Sequence, residues 1–151
     1  MENLIFFGKM YGLERPQESA LSVLEDVGLA PRRNDRVRTF SRGMVQRLSI
    51  ARAILHDPSI LFLDEPFTGL DIHASNVLKE QLQALHNKKR TILMTTHDIS
   101  CGLEMCDKVA LQVMGRFAFF EDVEEVSKEN FETMYFDAVR NNQFTMGIRN
   151  S

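Results

Sequence analysis

Asp64 and Glu65 are adjacent carboxylates that follow the apolar run Ile60 to Leu63. Side by side they offer an oxygen ligand for a hard cation and a group able to accept a proton. His97, in Thr95-Thr96-His97-Asp98, adds an imidazole that can donate to an anion or hold a water. Ser41 and Gly43 stand where a helix starts. A serine hydroxyl, a glycine and the exposed N–H groups of a first turn together make an anion site. Taken singly, each also fits a plain role: a surface turn, a structural histidine, a capped helix. The decision rests on what positions them.

Four apolar residues between Pro58-Ser59 and two acids fit a strand buried on both faces, as in a parallel sheet. Val77, Leu78, Leu82 and Leu85 repeat at helical spacing and predict a helix over about Ala74 to His86. Lys88-Lys89-Arg90 closes it with cations, where a helix C-terminus favours them. Thr91 to Thr95 reads as a second strand. Strand, helix, strand is a crossover unit, which makes the strands parallel. Glu65 and His97 are therefore expected on one edge, at the carboxyl ends of the strands, where ligands of open parallel sheets bind. The helix capped by Ser41 is expected to run to about His56, with Val45, Leu48, Ala51 and Leu55 inward.

With these residues in order, the chain resembles the nucleotide-binding subunit of an ABC transporter. Ser41-Arg42-Gly43-Met44 resembles the family signature. Ile60 to Glu65 resembles the Walker B strand with its catalytic glutamate, Gly69-Leu70-Asp71 the D-loop, and His97 the switch histidine. Four motifs in order are far more specific than any one. The resemblance covers Met1 to about Val126. It implies an α/β fold: an incomplete P-loop NTPase (ABC ATPase) domain, with a mostly parallel sheet core and a helical subdomain bearing the signature. It implies ATP and magnesium, with Asp64 orienting the metal directly or through water, Glu65 and His97 catalytic, and Ser41, Arg42, Gly43, Met44 and Asp71 at the nucleotide. Partners implied are a second nucleotide-binding subunit and transmembrane transporter subunits, with a place on the cytoplasmic face of the membrane. Export is favoured over import.

The sequence departs from the family pattern in two ways. Phe40, Arg42 and Met44 replace the Leu, a Gly and the Gln of the usual signature. The Walker A loop, G-x-x-x-x-G-K-[ST], is absent, since the only Gly-Lys pair, Gly8-Lys9, is followed by Met10. The resemblance thus reads as the part of the domain after the Q-loop. The alternative to an ATP-hydrolysing subunit is a non-catalytic partner lending its signature in trans to an intact ATPase.

The remaining chain organises around this core. Three segments are expected: 1–56, helical with the signature; 57–120, the ATPase core; and 121–151, an acidic helix and tail. Glu2 to Tyr11 predicts a helix with Leu4, Phe7 and Tyr11 on one stripe. Pro16 to Val27 predicts a second, with Ala20, Leu21, Leu24 and Val27 inward and Gly28 past its end. Seven arginines lie between Pro31 and Arg52. Without interleaved aromatics they fit a solvated, partner-facing or phosphate-facing surface better than a nucleic-acid site. Asp98 is expected to cap a short helix through Cys106, ahead of a hairpin about Met114-Gly115. Phe131, Met134, Tyr135 and Val139 could stripe a last helix, and 141–151 reads as a frayed tail. At 151 residues, 44% apolar and with net charge −3, the chain has the composition of one soluble domain. Cys101 and Cys106 give neither a disulfide framework nor metal spacing.

Overall fold

The computed structural model describes residues 1–87 and 90–147. The chain divides into two compact units, 1–96 and 97–151. Lys88, Lys89 and 148–151 lie outside the described residues, as does the side chain of Val139.

The first unit holds α1 (Glu2–Met10), α2 (Pro16–Asp26), α3 (Arg42–Ile54), β1 (Ile60–Asp64), α4 (Ile72–Asn87) and β2 (Thr91–Thr95). Pro16 opens α2, where its missing N–H costs nothing. Gly28 takes φ +64° just past the end of α2, a conformation L side chains rarely adopt. α3 packs against α1, α2 and α4. The core contains Leu4, Ala20, Leu24, Val27, Leu29, Ile50, Ala51, Ile54, Leu78, Leu82 and Leu85, all nearly sealed from solvent. β1 and β2 pair in parallel, Ile60 opposite Thr91 through Asp64 opposite Thr95. The expected crossover unit is thus present, with α4 as its helix.

Several inward-facing assignments need correction. β1 is not buried on both faces: Leu61 and Leu63 are inside, but Ile60 and Phe62 are 52% and 72% exposed. A continuous apolar run does not say which faces are covered. Here only one face of the pair is covered among the described residues, so an alternation emerges. Val45 is exposed as well. The buried stripe of α3 runs through Gly43, Ile50, Ala51 and Ile54, because its neighbours α2 and α4 set its rotation. On α2 Val23 is buried, where Leu21 was expected. Tyr11 is half-exposed, its ring 4.6 Å from that of His56.

Several of the arginines between Pro31 and Arg52 do structural work. Arg52 lies over the Phe7 ring at 5.0 Å. Arg47 donates to the Val27 carbonyl at 3.3 Å, and partial burial pulls its guanidinium below the usual range. Arg32 pairs with Asp35 at 3.1 Å.

The second unit holds α5 (Ile99–Met105), β3 (Lys108–Val113), β4 (Arg116–Asp122) and α6 (Lys128–Gly147). β3 and β4 form an antiparallel hairpin with a register shift between Leu111 and Gln112. Met114 and Gly115 both take positive φ, 51° and 76°, as a two-residue hairpin turn of the mirror-image kind requires. Leu111, Val126 and Phe131 form the core of this unit. Tyr135 is exposed, contrary to the expected stripe. A frayed tail was expected over 141–151, but α6 runs on to Gly147; nothing between Asn141 and Met146 breaks a helix. No described helix is long and apolar enough to cross a membrane.

Candidate active site

β1 delivers Asp64 and Glu65 to the carboxyl end of the parallel pair. Thr95, opposite Asp64, donates its hydroxyl to Asp64 Oδ1. Thr95 also accepts, through its carbonyl, the backbone N–H of Glu65 at 3.0 Å. Glu65 itself has φ +46°. A left-handed backbone costs an ordinary residue about 1–2 kcal/mol, so the surroundings must hold it there. Pro66 is fully buried, and Thr68 N–H donates to the Glu65 carbonyl at 3.2 Å, closing a tight turn. The Thr68 hydroxyl donates to Glu65 Oε2 at 3.1 Å. Each acid is therefore bonded to a different threonine.

The turn ends at Asp71, whose Oδ1 accepts Ala74 N–H at 2.7 Å and caps α4. Ser41 does the same for α3, accepting Met44 N–H on its Oγ at 3.3 Å. Gly43 is buried in the first turn of α3. A Cβ there would lie 2.9 Å from the Ala74 Cβ and 3.9 Å from Leu70 Cδ2. Its lack of a side chain thus serves helix packing, a role that the expectation of an anion site did not include. Arg42 reaches over Gly69, where φ is +71°; a Cβ on Gly69 would collide with the Arg42 guanidinium. Residues 42–43 and 69–74 therefore meet within one unit, which also holds Asp64 and Glu65. His97 is exposed and follows β2 by two residues. It belongs to the second unit, directly before Asp98, which caps α5 by accepting Cys101 N–H at 3.0 Å.

Among the described residues no three Asp, Glu, His or Cys side chains gather as a metal cluster. Asp64 offers one carboxylate at an exposed strand end. That donor set suits magnesium, which keeps several waters and takes other ligands from phosphates; it does not suit an all-protein cage. Thr68 and Thr95 escaped the reading of the sequence as site residues. The available signal was the i,i+3 spacing of Thr68 from Glu65 and the position of Thr95 at the end of the neighbouring strand.

Comparison with known proteins gives these motifs a family. Residues 2–68 match the family model described as ABC transporter. The ABC transporter ATP-binding protein NatA of Bacillus subtilis is 43% identical over 114 residues, covering 73% of this chain and 46% of NatA. Nod factor export ATP-binding protein I of Rhizobium johnstonii is 40% identical over 117 residues, covering 76% of this chain and 38% of the relative. An inward-facing putative metal-chelate type ABC transporter shares the fold, with TM-score 0.77 at 21% identity over 88% of this chain and 57% of that one. The chain spans less than half the length of these curated relatives. By its matched family model, its relatives and its P-loop NTPase fold, the chain belongs to the ABC transporter ATP-binding family.

Proposed function

We propose that this chain carries the hydrolytic residues of an ATP-binding subunit that powers an ABC transporter of export type. The observation that carries the reading is the pair of carboxylates at the carboxyl end of two parallel strands, each bonded to a threonine, in the same unit as the signature turn. The export names among the relatives support the direction of transport.

The roles divide by chemistry. Asp64 would hold magnesium directly or through its water shell, and the metal, when bound, offsets phosphate charge. Glu65 accepts the proton of the attacking water. His97, two residues beyond β2, is assigned the role of a donor to phosphate. Ser41, Arg42, Gly43 and Met44 present the start of α3 to nucleotide bound on a second subunit, and Asp71 steadies the connecting turn. Segments 1–56, 57–120 and 121–151 take the signature, core and C-terminal roles in this scheme. For the transmembrane subunits we assign the groove of about 250 Å³ lined by Asn3, Val37, Val45, Leu48, Ser49 and Arg52. The exposed Phe6, Met10 and Tyr11 of α1 and its end supply further apolar surface. On this reading the chain sits at the cytoplasmic face of the membrane. No nucleic-acid partner is invoked.

The 151 residues contain no G-x-x-x-x-G-K-[ST] cradle. In a second reading the chain lends only its signature to an intact ATPase. Magnesium-dependent ATP turnover of the assembly that contains this chain separates the two. The first expects Glu65→Gln to abolish turnover at this site while ATP still binds. The second expects Glu65→Gln to be silent and Ser41→Ala to lower turnover by the partner. Full activity in both variants overturns both.

A further inference from the structure

We propose that Thr68 is a positioning residue for Glu65, fixing the direction of the carboxylate that takes the proton; this rests on the reading of Glu65 just given. The backbone of Glu65 is left-handed, at φ +46°. That turns its side chain away from the regular in-and-out alternation of β1. Backbone strain of this kind persists where the surroundings over-determine it. Here the Glu65 N–H is tied to the Thr95 carbonyl and the Glu65 carbonyl to Thr68 N–H, with buried Pro66 between.

Fixing the backbone leaves the torsions of a long, only partly buried side chain to be fixed. The Thr68 hydroxyl reaches Glu65 Oε2 at 3.1 Å across the same turn that bonds the two backbones. Threonine suits the task, because its β-branch stiffens χ1 and so fixes where the hydroxyl points. A carboxylate has about four acceptor positions. One bond from Thr68 therefore sets direction without consuming the capacity to accept a proton. Thr95 holds Asp64 in the same manner. Two different hydroxyls, one from the neighbouring strand and one from the turn, give the adjacent acids separate directions and hence separate tasks.

Two measurements test this. In the assembly that hydrolyses magnesium-ATP, Thr68→Val is expected to lower kcat about two- to tenfold, the worth of one hydrogen bond. KM should stay unchanged, and Thr68→Ser should restore kcat to within about twofold. A turn cap without a positioning role would give unchanged kcat, or the same loss in Thr68→Ser as in Thr68→Val; either result overturns the proposal, as does a rise in KM alone. In the 151-residue chain without nucleotide, three-bond couplings of the Glu65 side chain should shift toward rotamer averaging in Thr68→Val and return in Thr68→Ser. Equal couplings in all three proteins overturn it. Full turnover in Glu65→Gln instead refutes the role of Glu65 as base, and the coupling measurement still decides whether Thr68 orients that carboxylate.

Discussion

Replacing Gly43 by alanine tests whether the signature turn is built for packing. On helix propensity alone the change should stabilise, by up to about 1 kcal/mol. The structure points the other way. The added methyl would sit 2.9 Å from the Ala74 Cβ, well inside the ~3.5–4.0 Å of a comfortable carbon contact. Ala74 has little room to retreat, because its N–H is held by Asp71 Oδ1 at 2.7 Å and Ser75 N–H by the Asp71 carbonyl at 2.9 Å. Overpacking of this kind costs about 1–3 kcal/mol. Set against the propensity gain, a net loss of about 1 kcal/mol is expected. Ala74→Gly removes the opposing methyl, so the double variant should be more stable than the sum of the singles by about 1 kcal/mol. The chain has no tryptophan, so urea unfolding is best followed by far-ultraviolet circular dichroism, with hydrogen exchange at Ile50 and Ala51 reporting on α3. A more stable Gly43→Ala, or a double variant additive within about 0.3 kcal/mol, refutes the reasoning. If Gly43 also serves an anion, the double variant regains stability without regaining turnover.

Three further outcomes are expected. The Arg90 side chain is only 10% exposed, with Nη2 on an exposed Asp57 at 2.5 Å and Nε and Nη1 without a partner among the described residues; Arg90→Met should leave Tm unchanged or raised, while Asp57→Asn lowers stability by about 1 kcal/mol. Phe62→Ser should change stability by less than about 0.5 kcal/mol, because the ring is exposed, and should reduce self-association in size-exclusion chromatography; an unchanged elution profile would count against the bare sheet face as the sticky surface. Burial, with Asp107 adding, pushes the Cys106 thiol up, so less thiolate is present at neutral pH and iodoacetamide should label it more slowly than free cysteine, with Asp107→Asn faster; mass spectrometry of the labelled chain reads both.

What the sequence made legible was whatever local chemistry determines. Ser41 and Asp98 cap the helices they were expected to cap, because a short polar side chain before an apolar repeat has few other uses. The parallel pairing of β1 and β2 followed from an apolar run, a helical repeat and a second run. Burial was harder to read. Val45 and Phe62 are apolar and exposed, and no local pattern says which neighbour will cover them. The Thr68–Glu65 bond was also hidden, since it depends on a left-handed glutamate that residue preferences argue against.

The departure of the signature at Arg42 acquires a physical partner in the fold. A glycine at 42 would leave the turn at Gly69 uncovered; the arginine instead lays its guanidinium across it, and Gly69 admits it only because it has no side chain. Gly43, the next residue, admits Ala74 and Leu70 for the same reason. The start of α3 and the turn from Glu65 to Asp71 therefore fit by complementary volumes at two successive positions. Arg42 is thus better understood as one half of a contact with Gly69 than as a lone deviation, and Gly69→Ala should strain the turn chiefly through its φ of +71°, since the exposed guanidinium can move aside.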